Sequence, residues 1–135
     1  MLTKKCQYAL HALLYFAERD GEQLTVKEIA TKKDIPQKFL ETIFVELKSI
    51  GILGSQKGKS GGYYMKRHAS KISVLEVIRA IDGAVSMIPC VSLNYYEPCE
   101  RCKDEDDCTL RGLFSEVRDE TLRILSSKTL DDLRP

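Results

Sequence analysis

Long apolar runs are missing from this sequence. None approaches the roughly 20 residues that a helix needs to cross a bilayer, and the N-terminus lacks the basic, apolar and small-residue order of a secretory signal. Internal repeats and low-complexity segments are also missing. With 135 residues, 43% of them hydrophobic, the chain has the size of one ordinary domain or of a small domain with an appended element. The sequence therefore predicts a cytoplasmic protein with no membrane partner.

Cysteine is sparse and unevenly placed. Of the five cysteines, four fall within 19 consecutive residues: Cys90, Cys99, Cys102 and Cys108. Disulfides are rare in a reducing cytoplasm, so this group predicts metal binding or redox chemistry. Cys6 has no close cysteine partner in the sequence and is predicted to be a small core residue.

The net charge of +1 hides a difference between the two halves of the chain. Residues 1–71 contain 13 lysines and arginines against 7 acidic residues, a net +6, whereas residues 72–135 contain 8 against 13, a net −5. A basic half is a weak indication of a polyanionic partner.

Two short helices with a tight connection follow a first, apolar helix. The first helix is predicted over residues 8–17, where every residue except His11 is apolar, and it ends near Gly21. A capping box at residues 25–28 begins the second helix. Pro36, followed by apolar residues at helical spacing, predicts a third helix that ends at Gly51. This order is typical of a helix-turn-helix, whose second helix enters the major groove of DNA.

A glycine-rich basic hairpin follows the third helix. Residues 52–56 and 63–65 are predicted strands around a turn at residues 57–62, which is typical of a wing. Lysines near phosphates supply affinity, and polar side chains on the recognition helix approach base edges. The predicted DNA-binding residues are Gln37, Lys38, Glu41, Thr42, Lys48, Lys57, Lys59 and Tyr63.

The rest of the chain divides into a helix, a loop and a long helix. A second capping box at residues 73–76 begins a helix that stops at Gly83, where the DNA-binding unit is predicted to close. From Thr109 to about Ser126, apolar residues step by four and three, the spacing of a coiled-coil seam. The sequence thus predicts a mainly α fold with a small β-wing: a winged helix-turn-helix over residues 1–83, a cysteine-rich loop over 84–108, and a dimerisation helix with a C-terminal turn over 109–135.

Segments along essentially the whole chain carry a family resemblance: residues 2–3 and 8–9, residues 36–41 at the start of the recognition helix, residues 57–58 and 61–63 in the wing, and residues 129–133. They resemble the IscR, NsrR and RirA type of winged-helix regulators, the Rrf-two family. The resemblance implies a homodimeric transcription regulator, a repressor and not an enzyme, that binds a double-stranded DNA operator in a sequence-specific way.

The resemblance also implies a cofactor. In that family, three cysteines between the winged domain and the dimerisation helix ligate an iron–sulfur cluster, and the fourth ligand differs among members. Cys108 resembles the third of these cysteines and Cys102 the second, while the first is either Cys99 or Cys90.

The fourth ligand is open. Arg111 and Gln7 stand where some family members carry a histidine or an aspartate ligand, so a fourth cysteine is expected to replace both. Soft thiolate ligands suit iron, and a two-iron or four-iron cluster that controls DNA affinity is the main expectation. Zinc, or no metal and control by thiol oxidation, are alternatives at the same cysteines. A small iron–sulfur electron carrier is an alternative of another class, for which a winged helix would be superfluous.

Overall fold

Five helices and one two-stranded hairpin make up the described part of the chain. The computed structural model describes residues 2–59, 61–102 and 104–135. The elements, in chain order, are α1 (Lys4–Glu18), α2 (Val26–Lys33), α3 (Gln37–Ser49), β1 (Leu53–Gln56), β2 (Gly62–Met65), α4 (Val74–Asp82) and α5 (Thr109–Ser127). The predicted mainly α fold with a small β-wing is confirmed.

The first three helices and the hairpin enclose one apolar core. Phe16 of α1 and Phe44 of α3 are almost fully buried, with ring centroids 5.7 Å apart. Tyr63 of β2 packs edge-on against Phe44 at 4.9 Å. The segment after α5 also reaches this core, because Leu130 is fully buried in it and its amide donates to the Ile72 carbonyl at 3.0 Å.

Hydroxyl side chains cap α1, α2 and α4. Thr3, Thr25 and Ser73 each accept a hydrogen bond from the backbone amide three residues later, at 3.1 Å. The caps at Thr25 and Ser73 agree with the sequence-based capping boxes. The cap at Thr3 makes α1 begin at Lys4, four residues before the predicted start. Thr3 also donates its amide to the Asp82 carboxylate at the end of α4, at 3.1 Å.

The other two helices begin differently. Pro36 precedes α3 and Cys108 precedes α5, and within the described residues no side chain caps either helix. The amide groups of a first helical turn carry partial positive charge and attract anions when no side chain satisfies them. Both N-termini therefore present donors toward the regions that the sequence analysis selects as functional.

The connection between α2 and α3 is a two-residue turn followed by Pro36. Asp34 has the left-handed backbone conformation, with φ 52° and ψ 51°, and its amide donates to the Ala30 carbonyl. Aspartate tolerates this conformation better than most residues. Ile35 is buried directly afterwards, which fixes the angle between the two helices.

The hairpin is antiparallel, with Leu53 opposite Met65 and Gln56 opposite Gly62. Its turn depends on glycine: Gly58 has φ 121°, and a Cβ on Gly61 would lie 2.5 Å from the Gln56 carbonyl oxygen. Ser60, which the sequence analysis places in this turn, lies outside the described residues.

Helix α5 runs along the outside of the molecule. It has 19 residues and is about 28 Å long, and it packs against α4 and a short 3-10 turn over Pro89–Val91. All of its residues are described, and none is buried. No helix within the described ranges is long and apolar enough to span a membrane.

Candidate nucleic-acid interface and cysteine site

Helix α3 has one buried face and one exposed face. Its buried residues are Leu40, Ile43, Phe44 and Leu47. The five predicted DNA-binding residues of this helix are all exposed: Gln37, Lys38, Glu41, Thr42 and Lys48. The apolar spacing from which the helix was predicted therefore also distinguishes its buried face from its exposed face.

Two of these polar groups already have partners within the helix. The Gln37 side-chain amide donates to the Glu41 carboxylate at 3.4 Å, and the Thr42 hydroxyl donates to the Lys38 carbonyl at 3.4 Å. Both bonds are long and exposed, so the same groups are available to exchange them for hydrogen bonds to base edges.

Val45 is a candidate that the sequence analysis missed. Its side chain is 62% exposed on a helix whose other apolar residues are mostly buried. Val45 lies four residues after Glu41 and three before Lys48, which places the three side chains on one stripe of the helix. The stripe is visible in the sequence, but the sequence analysis selected only polar side chains of this helix.

The hairpin residues that were predicted to bind DNA differ in their exposure. Lys57 and Lys59 are exposed at the turn, whereas Tyr63 is half-buried with its ring against Phe44. Its backbone also pairs with Leu24 through two 2.8 Å hydrogen bonds. Of the eight predicted DNA-binding residues, seven are exposed, and Tyr63 holds the hairpin to the core.

The cysteines occupy three different environments. All five, each within the described residues, are free thiols. Cys6 is fully buried in α1 beside Val74 and Ile78, as expected for a core residue. Burial, followed by the nearby Asp82 carboxylate that accepts its hydrogen bond, raises the pKa of the Cys6 thiol to about 12. Cys90 is buried in the turn over Pro89–Val91.

Cys99, Cys102 and Cys108 lie together in the loop before α5. The Cys102 amide donates to the Cys99 carbonyl at 3.1 Å, in a turn between the two residues. Partial burial raises the pKa of the Cys102 thiol, and the neighbouring Cys108, Cys99 and Glu105 raise it further. Like charges disfavour the thiolate, so the two other thiols and the carboxylate act on Cys102 in the same direction.

The three loop thiols fit an iron–sulfur cluster by their chemistry. Thiolates are the usual ligands of such clusters, and bound metal would relieve the repulsion between these thiols and their acidic neighbour. Cys108 stands at the N-terminus of α5. Among the described residues, however, no three His, Cys, Asp or Glu side chains lie at metal-holding spacing.

Three side chains connect the cysteine loop to its surroundings. The Tyr96 hydroxyl donates to the Glu105 carboxylate, and the Arg111 Nε lies 3.7 Å from the other oxygen of Glu105. Glu105 lies in an acidic run over residues 104–107, and nothing local in the sequence distinguishes it from the three aspartates beside it.

Arg118 links the start of the loop to α5. Its guanidinium donates to the Val91 carbonyl at 2.7 Å and is largely buried, with 16% of the side chain exposed. Further along the same helix, Leu125 packs against Cys6, Val74 and Ile78 of the DNA-binding unit. Helix α5 thus contacts both the cysteine loop and the winged unit.

Known proteins match this chain over almost its whole length. The Rrf2 family model, described as an iron-dependent transcriptional regulator, matches residues 2–134. An rrf2-like HTH-type transcriptional regulator of Rhodobacter capsulatus is 42% identical over 98% of this chain and 91% of its own length. The IscR regulator of Photorhabdus laumondii is 32% identical over 98% of this chain and 77% of its own length.

Solved structures agree with the fold. CymR, the global cysteine regulator of B. subtilis, superimposes with a TM-score of 0.81 at 25% identity, covering 99% of this chain and 95% of that one. The T. potens IscR gives 0.77 at 22% identity, covering 98% and 85%, which shows the fold alone. The relatives are transcriptional regulators and not enzymes. The chain therefore belongs to the Rrf2 family of transcriptional regulators.

Proposed function

We propose that this chain acts as a homodimeric, sequence-specific repressor whose DNA affinity is set by an iron–sulfur cluster in the cysteine loop. The observation that carries the proposal is the position of three neighbouring free thiols at the start of α5, a helix that also contacts the winged unit. We divide the chain at residues 83/84 and 108/109 into a DNA-binding unit, a sensing loop and a dimerisation segment.

The DNA-binding part uses α3 and the wing. The N-terminus of α3 has no side-chain cap among the described residues, so its amides are available to a phosphate. Lys57 and Lys59 reach the backbone from the exposed turn and supply affinity that salt weakens. This electrostatic contribution holds the protein on the duplex without selecting a sequence.

Sequence selection comes from the exposed stripe of α3. Glu41 is suited to accept a hydrogen bond from cytosine N4, and Gln37 to pair with adenine. Val45 adds an apolar surface that suits the methyl group of thymine. In this arrangement the hydrogen bond between Gln37 and Glu41 is exchanged for base contacts when DNA binds.

Dimerisation uses the exposed seam of α5. The predicted seam residues are Leu110, Phe114, Val117, Thr121 and Ile124. Leu110 is 61% exposed and Ile124 50% exposed in the single chain, so a second copy of the helix would remove considerable apolar surface from water. A two-fold dimer would place two recognition helices on a near-palindromic operator.

The cysteine loop connects the signal to this dimer. Cys99, Cys102 and Cys108 would hold the cluster, which supplies a redox-sensitive centre when bound. A change in the loop is passed to α5 through the bond between Arg118 and the Val91 carbonyl. Helix α5 passes it to the winged unit through Leu125, and the spacing of the two recognition helices changes.

Cys102→Ala, with Cys6→Ala as the control, tests this proposal. Both variants remove one thiol, but Cys6 is a core residue of α1 and not one of the three loop thiols. After anaerobic isolation, Cys102→Ala should be colourless, contain little iron and sulfide, keep the wild-type circular dichroism, and bind operator DNA with altered affinity. Cys6→Ala should keep its cluster. Equal iron content and equal DNA binding in Cys102→Ala and wild type would contradict the proposal.

A metal-free thiol switch is the second candidate. The backbone bond from Cys102 to Cys99 at 3.1 Å draws together two thiols in a Cys-x-x-Cys turn, an arrangement that forms disulfides readily. Oxidation by a peroxide would remove two electrons and two protons from the thiols, form one S–S bond and yield water or alcohol. Colourless wild-type protein after strictly anaerobic isolation, with DNA affinity that changes on peroxide treatment, would favour this candidate.

A further inference from the structure

A cavity of about 400 Å³ lies between the winged unit and α5. Its lining comes from four parts of the chain: residues 2–3 before α1, the second half of α4, the connection over residues 84–87, and α5. The volume falls within the range of cavities that hold small organic ligands. An occupant would therefore contact the DNA-binding unit and the proposed dimerisation segment at the same time.

Aliphatic side chains form one part of the cavity wall. Ile78 of α4, Val85 of the connection and Leu125 of α5 all line it. Val85 and Leu125 also pack against Ile78, which is buried, so this wall is held in place by its own contacts. Ligand sites typically combine such apolar surface with a few polar groups. This part of the cavity fits an aliphatic group of a ligand.

Asp82 supplies a carboxylate to the cavity. The side chain is half-buried and accepts hydrogen bonds from the amide and the hydroxyl of Thr3, which are both neutral groups. No lysine, arginine or histidine among the described residues forms an ion pair with it. A carboxylate has about four acceptor positions. Asp82 can therefore accept further hydrogen bonds from a ligand that carries an ammonium group.

Arg118 and Ser86 supply hydrogen-bond donors to the same cavity. The Arg118 side chain is 16% exposed, and its Nη1 and Nε donate to the Val91 carbonyl and to Asp119. A guanidinium has five N–H groups, so others stay available. The Ser86 hydroxyl oxygen is buried and has no hydrogen-bond partner among the described residues, which is uncommon in a native protein. These donors suit a carboxylate of a ligand.

A second copy of α5 is the rival occupant. Val117 and Thr121 of the proposed seam border the cavity, so a dimer would lie over its mouth. The seam residues of the second copy are all uncharged. They would leave the Asp82 carboxylate against side chains that offer no opposite charge, which is unfavourable. A small ligand with charges of both signs complements Asp82 and Arg118 together.

We propose that this cavity binds a free amino acid with an aliphatic side chain and that its occupation changes the affinity of the protein for DNA. The ammonium group would bind Asp82, and the carboxylate would bind Arg118 and Ser86. Because the occupant contacts α4 and α5 together, it favours one arrangement of these helices over another. The loop thiols do not line the cavity, so the site is independent of the proposed cluster. Its effect on DNA affinity rests on the proposed DNA binding by the winged unit.

Isothermal titration calorimetry with L-norleucine tests the site. Three matched probes each lack one feature of this molecule: pentylamine lacks the carboxylate, hexanoate lacks the ammonium group, and L-alanine lacks most of the aliphatic chain. Each should bind about tenfold more weakly than norleucine or less tightly still, the size expected for one lost charged hydrogen bond or for two to three unburied methylene groups. Norleucine that does not bind, or that binds no better than these probes, would overturn the assignment.

Ser86→Ala, with Ser115→Ala as the matched control, locates the binding. Both serines are half-buried, but Ser115 does not line the cavity. Ser86→Ala should weaken norleucine binding by about tenfold and keep the wild-type circular dichroism, and Ser115→Ala should match the wild type. Ala84→Trp, at an exposed position of the lining, should fill the cavity and abolish binding. Wild-type binding in both Ser86→Ala and Ala84→Trp would show that norleucine binds elsewhere and would overturn the site.

Ile124→Glu, which is designed to separate the protomers and lies outside the cavity lining, identifies the rival occupant. Norleucine should bind this variant and the wild type alike. Binding to Ile124→Glu alone would show that the second copy occupies the cavity, and it would overturn the proposal.

Fluorescence anisotropy with DNA tests the second half of the proposal. Saturating norleucine should change the affinity of the wild type for DNA by about fivefold or more and should not affect Ala84→Trp. Unchanged DNA affinity in a wild type that binds norleucine would overturn the effect on DNA. A wild type that binds norleucine but no DNA would overturn the function of the winged unit and leave the amino-acid site standing.

Discussion

The winged unit and the segment that follows it in the chain differ in how far each one buries its own apolar side chains. The winged unit buries aromatic and aliphatic side chains of α1 to α4, and the seven fully buried side chains of largest volume in α1 to α3 all lie in one core. Helix α5 buries none of its residues in the single chain. The loop before α5 holds three thiols that repel one another when ionised. Apolar side chains of the first region are thus buried in a core, whereas those of α5 stay at least partly exposed in the single chain.

The largest expected effect on stability belongs to the winged unit. Phe44→Ala removes a fully buried ring that packs on both Phe16 and Tyr63, and it should lower the free energy of unfolding by about 3–5 kcal/mol. Val45→Ala, one residue further and 62% exposed, should change it by less than about 0.5 kcal/mol. Urea denaturation measures both, and similar losses in the two variants would contradict the assignment of faces on α3.

A charge on the α5 seam should affect assembly and not folding. Ile124→Glu places a carboxylate on a side chain that is 50% exposed in the single chain, so the protomer should keep its circular dichroism. Burial of that charge between two helices is unfavourable, and the dimer should dissociate in sedimentation experiments. Ser126→Glu, on the same helix but off the seam, serves as the control. A fully dimeric Ile124→Glu variant would show that another surface joins the protomers.

Reversal of one charge on the wing should have a moderate effect on DNA binding. Lys57→Glu replaces an exposed lysine of the hairpin turn. It should weaken binding to all DNA sequences by about tenfold. The slope of log affinity against log salt concentration should also fall by about one, the value of one lost phosphate contact. Lys128→Glu makes the same charge change beyond α5 and should leave binding close to wild type. Fluorescence anisotropy at several salt concentrations distinguishes them, and unchanged affinity in Lys57→Glu would exclude a role for the wing.

The smallest expected effect is a pH dependence that comes from the core thiol. Burial raises the pKa of Cys6 in the folded protein from an ordinary value near 9 to about 12. The folded protein therefore holds this proton more tightly than the unfolded chain. The contribution of the thiol to stability is complete below about pH 9 and is lost as the pH rises toward 12.

Comparison with Cys6→Ala isolates this contribution from other groups that titrate in the same range. The difference in unfolding free energy between wild type and Cys6→Ala should shrink above about pH 9. A difference that stays constant up to pH 11 would show that Cys6 ionises as easily in the folded protein as in the unfolded chain.

Local patterns in the sequence were sufficient for the winged unit. The capping residues Thr25 and Ser73, the apolar spacing of α3 and the glycines of the hairpin act within a few residues of one another, so they could be recognised without a structure. The strands were predicted to within one residue at their ends, and the exposed face of α3 was assigned correctly apart from Val45.

Long-range contacts account for what the sequence analysis missed. Thr3, which caps α1, also binds Asp82, 79 residues later in the chain. The core includes Leu130 because the C-terminal segment pairs with residues 72–73. Tyr63, predicted to contact DNA, is half-buried through a contact with Phe44 across the fold.

The cysteine site was predicted as a set of four thiols close in sequence. Its grouping in space depends on how the loop turns. The tyrosine and arginine that orient Glu105 come from either side of the cysteines, at positions 96 and 111. Contacts between residues this far apart in the chain are set by the fold, so this part of the loop required coordinates.

The central claim is that the basic winged unit binds duplex DNA and that the cysteine loop behind it sets the strength of binding. The most direct test is a salt titration of binding to genomic fragments by anaerobically isolated protein, with and without its iron. The account predicts binding at low ionic strength, a decline as salt increases, and different affinities for the two forms. Absence of binding to any fragment at low ionic strength, in both the iron-loaded and the iron-free protein, would contradict it.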